Sequence, residues 1–230
     1  MQAVILAGGK GSRLDPYTRV LPKSLFPIGQ EPILEILIKQ LKRVGVTEII
    51  MCLGYLAELM IAYFQDGRRF GLPIRYMTES KPLGTAGPLK NINNLEKQFL
   101  VINGDECTTL NFGKLYVYHQ EMQADLTVAV QEKTISSSYG VLEMSNGRIT
   151  NYCEKPAFNF WVSMGIYMLN AEVLEVIPDD QRFDMPELVQ ALLKREAKVI
   201  GFESQDLWFD IGTLEDLDKA RQIAEAEEFR

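Results

Sequence analysis

Long apolar runs, paired cysteines and histidine are what this 230-residue chain has least of. Its longest apolar stretches, such as residues 4–7 and 49–53, fall far short of the roughly 20 residues of a bilayer-spanning helix. The N-terminus lacks a basic region, and its apolar run leads straight into glycines and charges, so no signal peptide and no membrane partner are expected. Cys52, Cys107 and Cys153 are odd in number and show no Cys-x-x-Cys spacing. That argues against a disulfide framework or a zinc site and for a reduced, cytoplasmic chain. Basic residues are outnumbered, 24 Lys and Arg against 31 Asp and Glu, for a net charge of −7. The balance argues against a nucleic-acid partner, while leaving room for a local cationic site that takes a small anion.

What is present is ordinary globular composition, 47% apolar and 24% charged. No repeat, low-complexity tract or linker interrupts it, so residues 1–230 are expected to form one domain. Short apolar runs alternate with helical patterns. Residues 4–7 predict a strand, followed by a Gly-rich loop. Ile33, Leu34, Leu37, Ile38, Leu41 and Val44 recur at helical spacing. Strands are expected at 48–53, 74–77, 99–103 and 125–130, with helices at 56–64 and 111–123. That order predicts a mostly parallel sheet covered on both faces. Further on, Asn146-Gly147 between two strand-like runs, 141–144 and 149–152, predicts a hairpin. A long strand at 160–169, a helix at 186–194 and short strands at 199–202 and 207–210 follow. Thr213 reads as the N-cap of a last helix, with Asp216 at its third position; that helix runs into an acidic tail.

The segment Leu6-Ala7-Gly8-Gly9-Lys10-Gly11-Ser12-Arg13-Leu14 follows the first strand directly. Its glycines let the backbone approach a ligand and turn N–H groups toward an anion. Lys10 and Arg13 invert the sign of an otherwise acidic chain, which suggests a phosphate-bearing substrate. Two familiar phosphate motifs fail. A dinucleotide fingerprint needs a third glycine where Leu14 stands, and a P-loop needs Ser or Thr where Gly11 stands. A Gly-rich turn without a ligand is the plainer alternative.

The sequence continues through Asp15-Pro16-Tyr17-Thr18, Leu21-Pro22-Lys23 and Phe26-Pro27-Ile28. This whole stretch resembles the signature of sugar-1-phosphate nucleotidyltransferases, the NDP-sugar pyrophosphorylases. Nearly the full chain, to about Ala220, shares the resemblance. It implies a Rossmann-like α/β/α sandwich with a mixed, mostly parallel central sheet. It also implies a catalytic domain alone, because the chain ends too early for the C-terminal β-helix that many relatives carry. Whether such a domain forms a homo-oligomer is left open.

Asp105 and Asp210 each close an apolar run at an expected strand end, where ligands of open α/β sheets collect. Each could instead cap the turn that follows. The resemblance makes them the ligands of a Mg²⁺ ion, with Arg13 and Lys23 neutralising the triphosphate, so that Arg13, Lys23, Asp105 and Asp210 are the catalytic set. Leu6, Ala7, Gly8, Gly9, Gly11, Ser12, Arg13 and Lys23 would hold the nucleotide, joined by Glu79, Gly84 and Thr85 at the base. A carboxylate only accepts hydrogen bonds, which suits the adjacent N1–H and N2–H₂ donors of guanine. The run Pro82-Leu83-Gly84-Thr85-Ala86-Gly87-Pro88-Leu89 looks most like that of GDP-mannose pyrophosphorylases, so GTP is favoured over UTP or dTTP. Otherwise Glu79 is an exposed acid at a strand end. Gly140, Glu154, Lys155 and Ser163 match positions that hold the sugar phosphate, of mannose or heptose type. His119, on a helix, reads as structural, and Trp161 as packing. The partners implied are a nucleoside triphosphate and a sugar 1-phosphate. A catalytically silent nucleotide-sugar-binding subunit is the competing class, disfavoured by the charged residues retained; a dehydrogenase is weakened by the failed fingerprint.

Overall fold

The computed structural model describes residues 1–225; the acidic tail expected after the last helix falls at 226–230, outside the described residues. The first apolar run is strand β1 (Gln2–Ala7). A short ribbon, β2 (Pro27–Ile28) with β3 (Glu31–Pro32), leads into helix α1 (Ile33–Arg43). There follow β4 (Glu48–Leu53), α2 (Ala57–Phe64), β5 (Ile74–Thr78), β6 (Gln98–Asn103), β7 (Glu106–Thr108) and α3 (Phe112–Glu121). The second half comprises β8 (Leu126–Ser136), the hairpin β9 (Val141–Ser145) and β10 (Arg148–Cys153), and β11 (Ala157–Asn170). It closes with α4 (Met185–Lys194), β12 (Val199–Glu203), β13 (Trp208–Asp210) and α5 (Leu214–Glu225).

Seven strands form the central sheet in the order β12-β8-β11-β6-β1-β4-β5. The run β6-β1-β4-β5 is parallel, as is β8 with β12. Only β11 runs against both neighbours. The fold is therefore the expected α/β sandwich with a mixed, mostly parallel sheet. The reversed strand has a simple cause. A crossover helix is needed to return a chain parallel to itself, and only a hairpin separates β8 from β11.

Both faces of the sheet are buried, which is why its strands read as unbroken apolar runs. Successive residues point to opposite sides. Ala3, Ile5, Met51 and Ile102 meet Leu34, Leu37, Ile38 and Leu41 of α1 and Met60 and Phe64 of α2. Val4, Ile50, Phe99 and Val101 meet Leu188 and Leu192 of α4. The Asn146-Gly147 turn forms as expected, with φ of +49° and +80°, and joins an antiparallel hairpin. Thr213 and Asp216 cap α5 mutually: Asp216 N–H donates to Thr213 Oγ1 at 3.2 Å and Thr213 N–H to Asp216 Oδ2 at 2.9 Å. Beyond the sheet, β7 pairs antiparallel with β13, and β7 has no periodic signal in three residues.

His119 is structural, as expected. It is fully buried, with Nδ1 2.8 Å from Thr127 Oγ1 and Nε2 3.3 Å from Asn170 Oδ1. Asn170 Oδ1 only accepts, so Nε2 carries the proton and Nδ1 accepts from the Thr127 hydroxyl. Burial pushes the imidazole below its ordinary value, against the upward pull of Asn170. Phe64→Ala, emptying a fully buried site beside Tyr63 and Phe70, should cost about 3–5 kcal/mol in urea unfolding. Because His119 resists protonation when folded, its contribution is intact above the ordinary histidine pKa. It is lost as pH falls below that value, by at most about 1.4 kcal/mol per pH unit. Comparing urea midpoints of wild type and His119→Gln at neutral and mildly acidic pH checks the slope.

Candidate active site

The carboxyl ends of β1, β4 and β6 open into a cleft of about 920 Å³. Its floor is the Gly-rich loop. Gly11 sits at φ +61°, and its carbonyl accepts from the Thr18 hydroxyl at 3.1 Å, which pins the loop as it turns away. Tyr55 N–H donates to the Gly8 carbonyl at 3.2 Å, tying the loop to the end of β4. Leu6, Ala7, Gly8, Gly9, Gly11, Ser12 and Arg13 all line the cleft, and so does Lys10.

Four charged side chains predicted to act together do converge. Lys23 Nζ donates to Asp105 Oδ2 and lies 3.5 Å from Asp210 Oδ1. Arg13 Nη2 stands 3.9 Å from Asp210 Oδ2. The pairing of β7 with β13 brings these distant acids together. Asp210 is registered opposite Glu106, and Ile211 N–H donates to the Asp105 carbonyl at 3.3 Å. Lys23 is 9% exposed, whereas the carboxylates it joins are 28% and 45% exposed. The acids thus face the cleft with a largely buried ammonium behind them.

Beneath this cluster lies a residue that no motif marked. Glu106 is buried, and its oxygens accept from Trp208 Nε1 at 2.7 Å and Asn103 Nδ2 at 3.0 Å. Burial, with Asp105 and Asp210 nearby, pushes its carboxyl well above the ordinary range despite those donors. It braces β7 to β13 and to the end of β6.

On the opposite wall, Glu79 lines the cleft with Gly84 and Thr85. Glu79 Oε2 accepts the Leu83 N–H at 2.9 Å. Burial raises its carboxyl above the usual value, partly offset by that bond. The loop carrying Gly84 and Thr85 is laced to the start of α4. Ala86 and Gly87 donate to the Phe183 carbonyl, Thr85 N–H to Asp184 Oδ1 at 2.9 Å, and Met185 N–H to Thr85 Oγ1 at 2.7 Å. Asp184 and Arg182 therefore join the lining. Asp184 was missed, and the signal that could have found it is a capping box with Glu187, in which Glu187 Oε2 accepts the Asp184 N–H at 2.7 Å.

The expected sugar-side residues stand apart from the cleft lining. Gly140, Glu154 and Lys155 lie on or beside the β9–β10 hairpin, all exposed. Gly140 packs on Tyr152 and Glu154, and Tyr152 Oη donates to Glu154 Oε2 at 2.5 Å. Ser163 sits where β11 loses register with β8, its hydroxyl 3.1 Å from Tyr167 Oη. Trp161 corrects an expectation: it is 54% exposed, because the outer part of β11 has nothing packed on it.

Asp105 and Asp210 flank one ammonium, so their oxygens lie within reach of a single cation. Among the described residues no three His, Cys, Asp or Glu are grouped as a metal site. Magnesium commonly takes only one or two protein carboxylates and leaves the rest to water and phosphate, so this pair fits its donor chemistry.

A family model described as nucleotidyl transferase matches residues 2–227. The chain is 35% identical to a UTP–glucose-1-phosphate uridylyltransferase of Synechocystis, over 94% of its own length and 61% of that relative. It is 31% identical to a D-glycero-alpha-D-manno-heptose 1-phosphate guanylyltransferase of Aneurinibacillus thermoaerophilus, over 96% and 97% of the two chains. It thus spans about three-fifths of the first relative and nearly all of the second. HddC of Yersinia pseudotuberculosis, solved also in complex with GMP-PN, superposes with a TM-score of 0.75 at 28% identity, covering 97% of this chain and 99% of that one. With the loop, the basic pair and the two aspartates placed as above, the chain belongs to the nucleotidyl transferase family.

Proposed function

We propose that this protein transfers a nucleoside monophosphate from a nucleoside triphosphate to a sugar 1-phosphate, releasing pyrophosphate. The observation that carries this reading is the Lys23 ammonium set between Asp105 and Asp210 at the mouth of the Gly-rich loop. A sugar-phosphate oxygen attacks the α-phosphorus in line, and pyrophosphate departs. The attacking oxygen is already anionic, so no general base is needed, consistent with a lone histidine buried elsewhere. The work is to position two anions that repel each other. Backbone N–H groups of residues 8–12 cradle the triphosphate, while Arg13 and Lys23 offset the charge that develops on it.

The chain cannot neutralise that charge alone. Lys10, Arg13, Lys23, Lys81 and Arg182 line the cleft against Glu79, Asp105, Asp184 and Asp210. Lys81 and Arg182 are already paired, with Asp180 and Asp184. The two substrates bring about six negative charges. Mg²⁺, held by Asp105 and Asp210, would supply the missing positive charge.

Glu79 supports guanine as the base. One oxygen accepts from Leu83 and the other has no hydrogen-bond donor among the described residues, so the carboxylate can take two donors from a ligand edge. The GMP-PN complex of HddC and the heptose guanylyltransferase relative agree with GTP, whereas the Synechocystis relative keeps uridylyl transfer as the competing outcome. For the sugar we assign Gly140, Glu154, Lys155 and Ser163, with a mannose- or heptose-type substrate. The three free cysteines suit a cytoplasmic setting.

Arg13→Ala, Lys23→Ala, Asp105→Ala or Asp210→Ala should each lower kcat by roughly 10²-fold or more in a pyrophosphate-release assay. Chelation should abolish turnover and Mg²⁺ restore it; wild-type turnover in Asp105→Ala would remove the metal assignment. Glu79→Gln replaces two acceptors by one acceptor and one donor, the pattern a uracil or thymine edge accepts. It should shift kcat/KM from GTP toward UTP or dTTP by about tenfold, equivalent to about 1.4 kcal/mol. Because burial raises the Glu79 carboxyl, GTP affinity in wild type should weaken on the acid side of neutrality, and that dependence should vanish in Glu79→Gln.

A further inference from the structure

A second cavity, of about 450 Å³, lies between the C-terminal half of α1 and the turn 68–70 that leads toward β5. It is lined by Glu35, Lys39, Lys42, Arg43, Arg69 and Phe70 and shares no residue with the active cleft. Four cations and one carboxylate meet here, on a chain whose net charge is −7. A solvated helix face ordinarily intersperses the two signs. Here the positive surplus is held in place. Lys42 Nζ donates to the Phe70 carbonyl at 2.8 Å. It reaches that atom because residue 71 is glycine, at φ +65°, where a Cβ would collide with the ammonium. The Arg69 guanidinium lies over the rings of Tyr63 and Phe70, 4.3 and 4.4 Å from their centroids. Stacking of this kind orients the planar fork and leaves its N–H groups to bond in plane. Glu35 is already engaged: it accepts from the Tyr63 hydroxyl at 2.8 Å and pairs with Lys39 at 3.1 Å and Arg69 at 3.5 Å. Arg43 lines the cavity with no salt bridge among the described residues.

We propose that this cavity is a second anion site, which takes a small molecule bearing a phosphate group. Charge selects an anion. The lining is net positive by three, and a phosphate group brings about two negative charges near neutral pH. The C-terminal dipole of α1 opposes an anion, but its roughly half a charge is outweighed by that surplus. Donor geometry selects phosphate: two guanidinium forks match pairs of phosphate oxygens, and two ammonium groups add point charges. Size selects a small molecule, since the volume falls in the range of metabolite pockets, roughly 300–1,000 Å³. Acids close the rim, with Glu31 on Lys39 at 2.6 Å and Asp66 on Arg68 at 3.0 Å. An extended polyanion such as a nucleic acid would meet like charge on leaving the cavity. Inorganic phosphate, pyrophosphate and a hexose 1-phosphate share the chemistry that fits. The site stands apart from the active cleft, so the inference does not rest on the transfer reaction.

The test is an NMR titration of the full chain that follows backbone amides, with each of the three phosphates in turn at about 0.15 M salt. Amides of residues 39–45 and 67–71 should shift and saturate, with a Kd of about 1 mM or tighter for the best ligand. Arg43→Glu and Lys42→Gln should each weaken that binding about tenfold or more, while shifts at residues 8–13 in the active cleft stay as in wild type. Both side chains are exposed, so circular dichroism should show the wild-type fold. The order of the three affinities identifies the source of the phosphate. Shifts confined to residues 8–13 overturn the proposal. So do shifts at 39–45 that grow without saturating, that sodium chloride reproduces at matched ionic strength, or that both variants leave intact. Because residues 8–13 read the active cleft separately, failure at either site leaves the other standing.

Discussion

One buried ammonium holds this site together. Lys23 sits at 9% exposure between two carboxylates, one from the turn after β6 in the middle of the chain and one closing β13 near its end. Removing its charge would leave Asp105 and Asp210 facing each other across a partly desolvated gap, with the buried Glu106 directly beneath. The neighbouring structure exists to keep that arrangement: β7 pairs with β13, Trp208 and Asn103 hold Glu106, and Thr18 pins the loop that leads to Lys23. An acidic protein can thereby gather basic groups at one pole without becoming basic overall.

The site was legible where chemistry and position coincide in sequence. A Gly-rich loop after the first strand marked Arg13, and acids closing apolar runs marked Asp105 and Asp210, because backbone reach and strand ends leave strong local marks; Lys23, and the grouping of all four, came from the family resemblance. Glu106 left no such mark. Its role depends on which residue pairs across to Asp210, and register between segments this far apart is not written in either segment. Arg182 was hidden for a similar reason, since the loop before α4 is brought to the cleft by its bonds to residues 83–87. Asp184 was readable as a helix cap, but its capture of Thr85 was not.

The fold divides in the same way. Residues 4–7, 49–53 and 99–103 announced a two-faced sheet by being apolar without alternation, and α1 announced its buried stripe by helical spacing. The strand order was less accessible. That β11 inserts between β6 and β8 follows from a long strand leaving a hairpin, and its reversed direction is what breaks the otherwise parallel pattern. Trp161 shows the limit of composition as a guide. An aromatic in a strand is ordinarily packing, yet here the strand outruns the sheet that would cover it.

That overrun has a consequence for the site. β11 enters the body beside the catalytic pole: at Gly165 any side chain would collide with Asn103 and Glu106, so the strand passes against the brace of the two aspartates. Ser163, two residues outward, marks the point where its register with β8 slips. The same strand thus abuts the residues that hold the acid pair and, further out, carries the exposed aromatics of the arm it forms with the β9–β10 hairpin. The arm continues β11 at its outer end, and β11 is packed against the support of Asp105 and Asp210 at its inner end. The arm that bears Gly140, Glu154 and Lys155 and the acid pair at the cleft are therefore joined through a single strand, whose register with β8 slips after Ser163.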